Sequence, residues 1–279
     1  MSAETRNVTL ITGASVGIGA DLARVFAQHG HYLALVARNG ARMEALADEI
    51  AATGALRPLI VEADLSAPGA ADALVAEMDR LGARVTSLVN NAGYGLIGRV
   101  AELDRADQIR MIDLNVRALT DLTLAFLPAV QAARGGVMNV ASTAAFYAGP
   151  GMAVYYATKA FVLSFSQALA YELKDEGVRV TALCPGPTKT EFFERAGAGD
   201  SLFGPIPMAS SMSVAQAGYA GFMRGKMVVV PGFFNKLLTI TSGLQPRAIS
   251  MRTIARMQMG RAKGGKGAKG SEGSKSEPR

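Results

Sequence analysis

The 279 residues are 49% hydrophobic and 19% charged, which is too apolar for a disordered chain and ample for a core on both faces of a sheet. With one cysteine, Cys184, and only His29 and His31 as histidines, an internal disulfide is excluded, and a zinc-type Cys/His set or a Ser/His/Asp triad is not expected. The net charge of +6 is uneven: residues 1–200 carry 17 Lys+Arg against 21 Asp+Glu, residues 201–279 carry 12 against 2, and no acid lies between Asp200 and Glu272.

Residues 1–9 mix charged and polar groups before the first apolar run. A secretory leader is therefore not expected, and a cytoplasmic location is. Two stretches free of charge, 135–158 and 201–223, are broken by Gly, Pro, Ser or Asn. Neither gives the ~20 consecutive apolar residues of a spanning helix, so both read as buried or site-lining.

From Val8 short apolar runs alternate with longer amphipathic ones. Strands are expected at 8–12, 32–37, 58–63, 86–92, 136–142 and 178–186, with a last one in 226–232 after a loop-rich insertion. Helices are expected over about 17–29, 40–53, 68–81, 104–133 and 153–176. Strands apolar on both faces and separated by helices imply an α/β fold, a doubly wound parallel sheet of Rossmann type with helices on both faces. One domain is expected over residues 1–260. Residues 261–279, rich in Gly, Lys and Ser, read as a flexible basic tail.

The first turn, Thr12-Gly13-Ala14-Ser15-Val16-Gly17-Ile18-Gly19, follows a strand and opens a helix. Glycines there let the backbone turn sharply and approach a pyrophosphate at the positive helix N-terminus. Such a turn alone is weak evidence, but its place after the first strand strengthens it. Tyr155 and Lys159 are four apart on an expected helix and so share a face. An ammonium near a phenol favours the phenolate, which would bring the titration of Tyr155 toward neutral pH. Ser142, ending the preceding strand, can hydrogen-bond a developing alkoxide. Tyr156 is a rival acid, better read as a core aromatic; His29 and His31 read as solvated.

These motifs together resemble the classical short-chain dehydrogenase/reductase family over about residues 7–192. The glycine-rich turn matches the family's spacing, Asn90-Asn91-Ala92-Gly93 its second marker, and Tyr155-Tyr156-Ala157-Thr158-Lys159 its Tyr-x-x-x-Lys. The resemblance implies a catalytic set of Asn115, Ser142, Tyr155 and Lys159. Asn115 would anchor a water that relays protons to Lys159, and Lys159 would also hold the nicotinamide ribose. Cofactor contacts are implied at Gly13, Ser15, Gly17, Ile18, Gly19, Asn90, Ala92 and Gly93. Pro185, Gly186, Thr188 and Thr190 match the segment that closes over the nicotinamide in relatives.

The second strand ends Val36-Ala37-Arg38-Asn39. Where an acid would accept the ribose hydroxyls of NAD, Arg38 offers a fork of donors for the extra phosphate of NADP, with Arg42 one turn later. NADP(H) is therefore the expected cofactor. Asp64 matches the position that holds the adenine amino group in relatives, and could equally cap the next helix. The implied activity is hydride transfer between NADP(H) and a carbonyl or secondary alcohol, in the reducing direction. A non-catalytic dinucleotide-binding regulator on the same fold is the alternative.

Residues 191–216, with Phe192, Phe193, Leu202, Phe203, Met208 and Met212, are expected to form a lid suited to an apolar substrate. The resemblance implies a homodimer or homotetramer paired through the helices at 104–133 and 153–176. Nucleic acid is not an expected partner. The acid-free segment 233–259, apolar residues mixed with Lys236, Arg247, Arg252 and Arg256, could lie on an anionic membrane surface or pack on the protein.

Overall fold

The computed structural model describes residues 5–192, 196, 208–242 and 247–259. Seven parallel strands run β1 (Arg6–Thr12), β2 (Leu33–Ala37), β3 (Leu59–Glu62), β4 (Ala83–Asn90), β5 (Gly136–Val140), β6 (Arg179–Leu183) and, after a short parallel pair β7 (Thr188–Lys189) and β8 (Ala209–Ser210), β9 (Val228–Val229). Their order across the sheet is β3-β2-β1-β4-β5-β6-β9. Chain direction along the sheet reverses between β1 and β4, which opens a crevice at the carboxyl ends of those strands.

Helices α1 (Gly17–Gln28), α2 (Gly40–Ala52), α3 (Ala70–Arg80), α4 (Arg105–Ile112), α5 (Leu119–Ala132) and α6 (Ala153–Glu172) cover the sheet. Strand β2 is buried at all five residues, as the apolar run Leu33–Ala37 requires when both faces are covered. One core cluster gathers Leu22, Val25, Phe26, Leu35 and Met43. A second gathers Leu10, Val36, Leu74, Leu88 and Phe126. Neighbours Leu10, Ile11 and Val36, Ala37 thus send alternate side chains to opposite layers.

The expected helix over 104–133 is three pieces, because Asp113–Ala118 winds as a π segment between α4 and α5. Asn115 sits in that widened turn, a kind of irregularity that recurs at functional sites.

Within the expected loop-rich insertion lies an additional helix, α7 (Ser211–Met223), capped by Ser210 Oγ accepting from the Ser213 amide at 3.2 Å. Its Val214, Ala215 and Phe222 are core, and Met212 packs against the same cluster. Residues 211–216 therefore belong to the body of the fold, not to a lid. Close packing explains the glycines: a Cβ on Gly218 would sit 2.8 Å from Leu183 Cδ2, and one on Gly221 would sit 2.2 Å from Val229 Cγ2.

His31 is half-buried and partnered rather than simply solvated. Its Nδ1 is 3.1 Å from Thr9 Oγ1 and its Nε2 3.2 Å from Tyr219 Oη, with Phe26 edge-on at 4.9 Å. Burial pushes its pKa down, with His29 and Arg179 adding repulsion. Two further helices, α8 (Phe233–Thr241) and α9 (Arg247–Met259), end the described chain.

Candidate active site

A cleft of about 1240 Å³ opens at the carboxyl ends of the strands, walled by the β1–α1 turn on one side and the start of α6 on the other. Thr12 fixes its floor. The buried Thr12 hydroxyl donates to Val89 O at 3.3 Å and accepts from the amides of Asn91 and Ala92, both at 3.0 Å. Asn91 Nδ2 donates in return to Thr12 O and Gly13 O.

Two glycines meet distinct demands of this turn. Gly13 has φ +64°, and a Cβ there would lie 2.8 Å from Ala92 Cα. Gly19 needs no unusual φ, but a Cβ would lie 2.3 Å from Gly13 O. A turn this tight sets the N-terminus of α1 at the cleft, a position that favours an anion. Gly17, Ser15 and Ile18 line it, as do Ala92, Gly93, Pro185, Gly186, Thr188 and Thr190. Thr190 lies across the turn, so a Cβ on Gly17 would meet its Cγ2 at 3.0 Å.

Arg38 and Asp64 also line the cleft. Arg38 makes no hydrogen bond or ion pair among the described residues. Arg42, expected to join it on a phosphate, instead holds Glu191 through Nη1 at 2.9 and 3.0 Å. Asp64 accepts from the Ser66 amide at 3.0 Å and the Ser66 hydroxyl at 2.6 Å. Those bonds, with a lesser contribution from Arg38, hold its pKa below the usual carboxylate range. It does not cap the next helix, whose N-cap is Gly69.

Asn90 is absent from the cleft wall. Its side chain is buried, Nδ2 donating to Thr123 Oγ1 at 3.0 Å and Asn139 Oδ1 at 2.9 Å, which makes it a brace between β4, β5 and α5. Asn91, its neighbour, lines the cleft instead.

Ser142, Tyr155 and Lys159 come together at the inner end of the cleft, and Asn115 is buried behind its wall beside Gly93. Asn115 donates from Nδ2 to Tyr94 O at 2.9 Å and Thr158 Oγ1 at 3.1 Å, and its Oδ1 accepts from the Tyr94 amide at 3.1 Å. Its amide is thereby spent on positioning the Gly93–Tyr94 backbone. Gly93 leaves the room: a Cβ there would lie 2.8 Å from Asn115 Oδ1 and 3.5 Å from Lys159 Nζ. Ser142 Oγ accepts from the Ala144 amide at 3.1 Å.

Tyr155 and Lys159 are both buried one turn apart on α6. Burial pushes the Tyr155 phenol up, and a hydrogen bond with Ser142 pulls it partly back. That direction is opposite to the one expected from an adjacent ammonium. Lys159 Nζ donates to Val140 O at 2.8 Å and stands 5.9 Å from the Tyr155 ring centroid, so desolvation outweighs charge attraction. The same burial holds the Lys159 ammonium down to about 8.

Beyond these groups the wall is apolar. Phe192 packs on Tyr155 with centroids 5.4 Å apart, and Met152, Leu96 and Tyr94 join them. Phe192 falls in the segment 191–216 expected as a lid. Phe193, Leu202 and Phe203 lie outside the described residues, and Met208 is exposed. Gln258 of α9 also reaches the wall; nothing in the sequence marked it. No group of three metal-ligating side chains occurs among the described residues.

The fold and this cleft define a Rossmann-type oxidoreductase. The family profile described as short chain dehydrogenase matches residues 7–200, and the chain belongs to that family. The sulfoacetaldehyde reductase of Chromohalobacter salexigens is 40% identical over 214 residues, 74% of this chain and 84% of that protein. A short-chain dehydrogenase from Sphingobium yanoikuyae in complex with NADPH superposes with TM-score 0.75 at 35% identity, covering 86% of this chain and 94% of its own. The bulky-bulky ketone specific alcohol dehydrogenase from Comamonas testosteroni gives TM-score 0.71 at 31% identity, over 87% and 94% of the two chains.

Proposed function

We propose that the protein is an NADP(H)-dependent reductase of apolar ketones, with Tyr155 as acid, Ser142 as carbonyl donor, Lys159 as the charge beneath them and Asn115 as a positioning residue. The convergence of Ser142 and Tyr155 at the apolar end of the cleft that the glycine-rich turn also lines carries the reading. When bound, the nicotinamide supplies the hydride. Gly13, Ser15, Gly17, Ile18 and Gly19 would hold its pyrophosphate, Arg38 the 2′-phosphate, and Asp64 the adenine end. Ala92, Gly93, Pro185, Gly186, Thr188 and Thr190 would enclose the nicotinamide half.

Ser142 and Tyr155 would grip a ketone oxygen, and Tyr155 would give it a proton as hydride arrives at carbon. A buried phenol with a raised pKa is protonated at neutral pH, which suits reduction. The apolar wall of Met152, Leu96 and Phe192 supports a greasy substrate, and the Comamonas relative is named for bulky ketones. The test follows NADPH absorbance with purified protein across ketones of rising size. Bulky apolar ketones should turn over fastest; NADPH binding without any turnover would favour a non-catalytic regulator.

Residues 1–260 form the catalytic domain in this reading, and copies pair through α4, α5 and α6. On those helices Ile109, Ile112, Leu124 and Phe161 are exposed, as a contact face would be. A second surface supports peripheral membrane contact. Helix α8 carries its apolar side outward: Phe233 is 85% exposed, with Phe234, Leu237, Leu238 and Ile240 also out, while Asn235 and Thr239 face in. Arg252 and Arg256 of α9 are exposed nearby in sequence, and each cation near an anionic surface is worth about 1 kcal/mol. One preparation tests both surfaces. Light scattering should give a multiple of the chain mass, and a single-chain mass would end the pairing. Sedimentation with phosphatidylserine vesicles at low salt should carry the protein down, and neutral vesicles should not; a supernatant in both cases would end the membrane contact.

A further inference from the structure

Every polar atom that the mechanism above uses lies at the carbonyl end of the substrate region. The cleft wall beside Tyr156 holds one polar group more. Helix α9, whose sequence lies outside the matched family segment, inserts Gln258 into the cleft, where it is only 5% exposed. Its Nε2 donates to the Tyr156 hydroxyl at 2.8 Å. Its Oε1 is buried and has no partner among the described residues. A buried amide oxygen left unpaired costs stability on the order of a hydrogen bond, so its place in the wall that Met152, Phe192 and Tyr155 also line calls for a partner that the described residues do not supply.

Resting on the ketone-reductase reading, we infer that Gln258 is a substrate-recognition site. Its Oε1 accepts a hydrogen bond from an O–H or N–H group carried by the substrate away from its carbonyl. The substrate class narrows to apolar ketones bearing one remote hydroxyl or amine donor. Tyr156 serves as the orienting partner: by accepting from Nε2 it leaves Oε1 as the unpaired atom of the amide. This also accounts for Tyr156 as something other than a spare acid. Its hydroxyl is held to α9, and burial pushes its pKa up while Gln258 pulls it partly back.

Calorimetric binding to the full-length protein saturated with NADP+ tests this independently of turnover. The probes are phenyl ketones with a terminal hydroxyl on chains of increasing length, each compared with its methyl-terminated parent and its methyl ether. At one chain length the hydroxyl compound should bind about tenfold tighter than both, the worth of one good hydrogen bond in a buried site. Q258L should erase that ratio, whereas Q258E, which keeps an acceptor, should retain it. Equal binding of the three probes at every length would overturn the inference, as would tighter binding of the ether, which would mean that the amide presents Nε2. A hydroxyl preference that survives Q258L would overturn it too. If the preference is present yet no ketone is reduced, the reductase reading fails while the recognition site stands.

Discussion

Replacing Tyr155 by Phe should leave NADPH binding near the wild-type level and lower turnover by about 10²- to 10⁴-fold, the usual cost of deleting a general acid. The substitution removes one oxygen from a buried ring that packs against Phe192, so the wall and the cleft volume stay. The lost hydrogen bond with Ser142 is worth about 1 kcal/mol, too little to unfold a domain with two large core clusters. The rival acid gives the control. Tyr156→Phe deletes a hydroxyl held by Gln258 and should cost far less in kcat, although it frees the Gln258 amide to turn. Single-turnover kinetics under saturating NADPH separate the two. Near-wild-type hydride transfer in Tyr155→Phe, with the loss falling on Tyr156→Phe, would reverse the assignment.

Lys159 shows how far the sequence can carry such an argument. The four-residue spacing placed its ammonium on the same face as the Tyr155 ring, and the structure agrees on the face. The sign of the phenol's displacement is another matter, because spacing says nothing about desolvation. Both groups are buried, Val140 O takes the ammonium, and burial dominates both titrations.

The strands and the glycine-rich turn were legible for a simple reason. A strand covered on both faces must be a short apolar run, and a backbone pressed against Ala92 and Gly13 O leaves no room for a side chain. Asn90 and Asn91 were not separable on that basis, since successive residues of a strand end point to opposite sides and the sequence alone does not say which side is the cleft. Helix α7 was obscured by its composition. Gly218 and Gly221 fall in the stretch expected as loop-rich, yet they let the helix lie against β6 and β9. Gln258 had no local signal at all, because its place depends on how α9 returns across the molecule to Tyr156.

The cofactor prediction rests on a cation that makes no hydrogen bond or ion pair among the described residues. Arg38 lines the cleft at the end of β2 and makes no ion pair among the described residues, while Arg42 is held by Glu191. Arg38→Asp should therefore remove the cation that would meet the 2′-phosphate of NADP and set a carboxylate in the cleft alongside Asp64. Losing a charge-assisted hydrogen bond costs roughly 1.5–3 kcal/mol, and repulsion of the phosphate adds about 1 kcal/mol at a solvated site. Together these correspond to a fall of roughly 10²- to 10³-fold in the ratio of kcat/KM with NADPH to kcat/KM with NADH. NADH should be used as well as before or better, since a carboxylate there can accept its ribose hydroxyls. The measurement is that ratio, in wild type and variant, with one ketone held fixed. A wild-type enzyme indifferent to the two cofactors would reduce Arg38 to a surface charge. If instead Arg38→Asp left the ratio unchanged and Arg42→Ala collapsed it, the phosphate would belong to Arg42, with Glu191 released from its present ion pair as the phosphate takes its place.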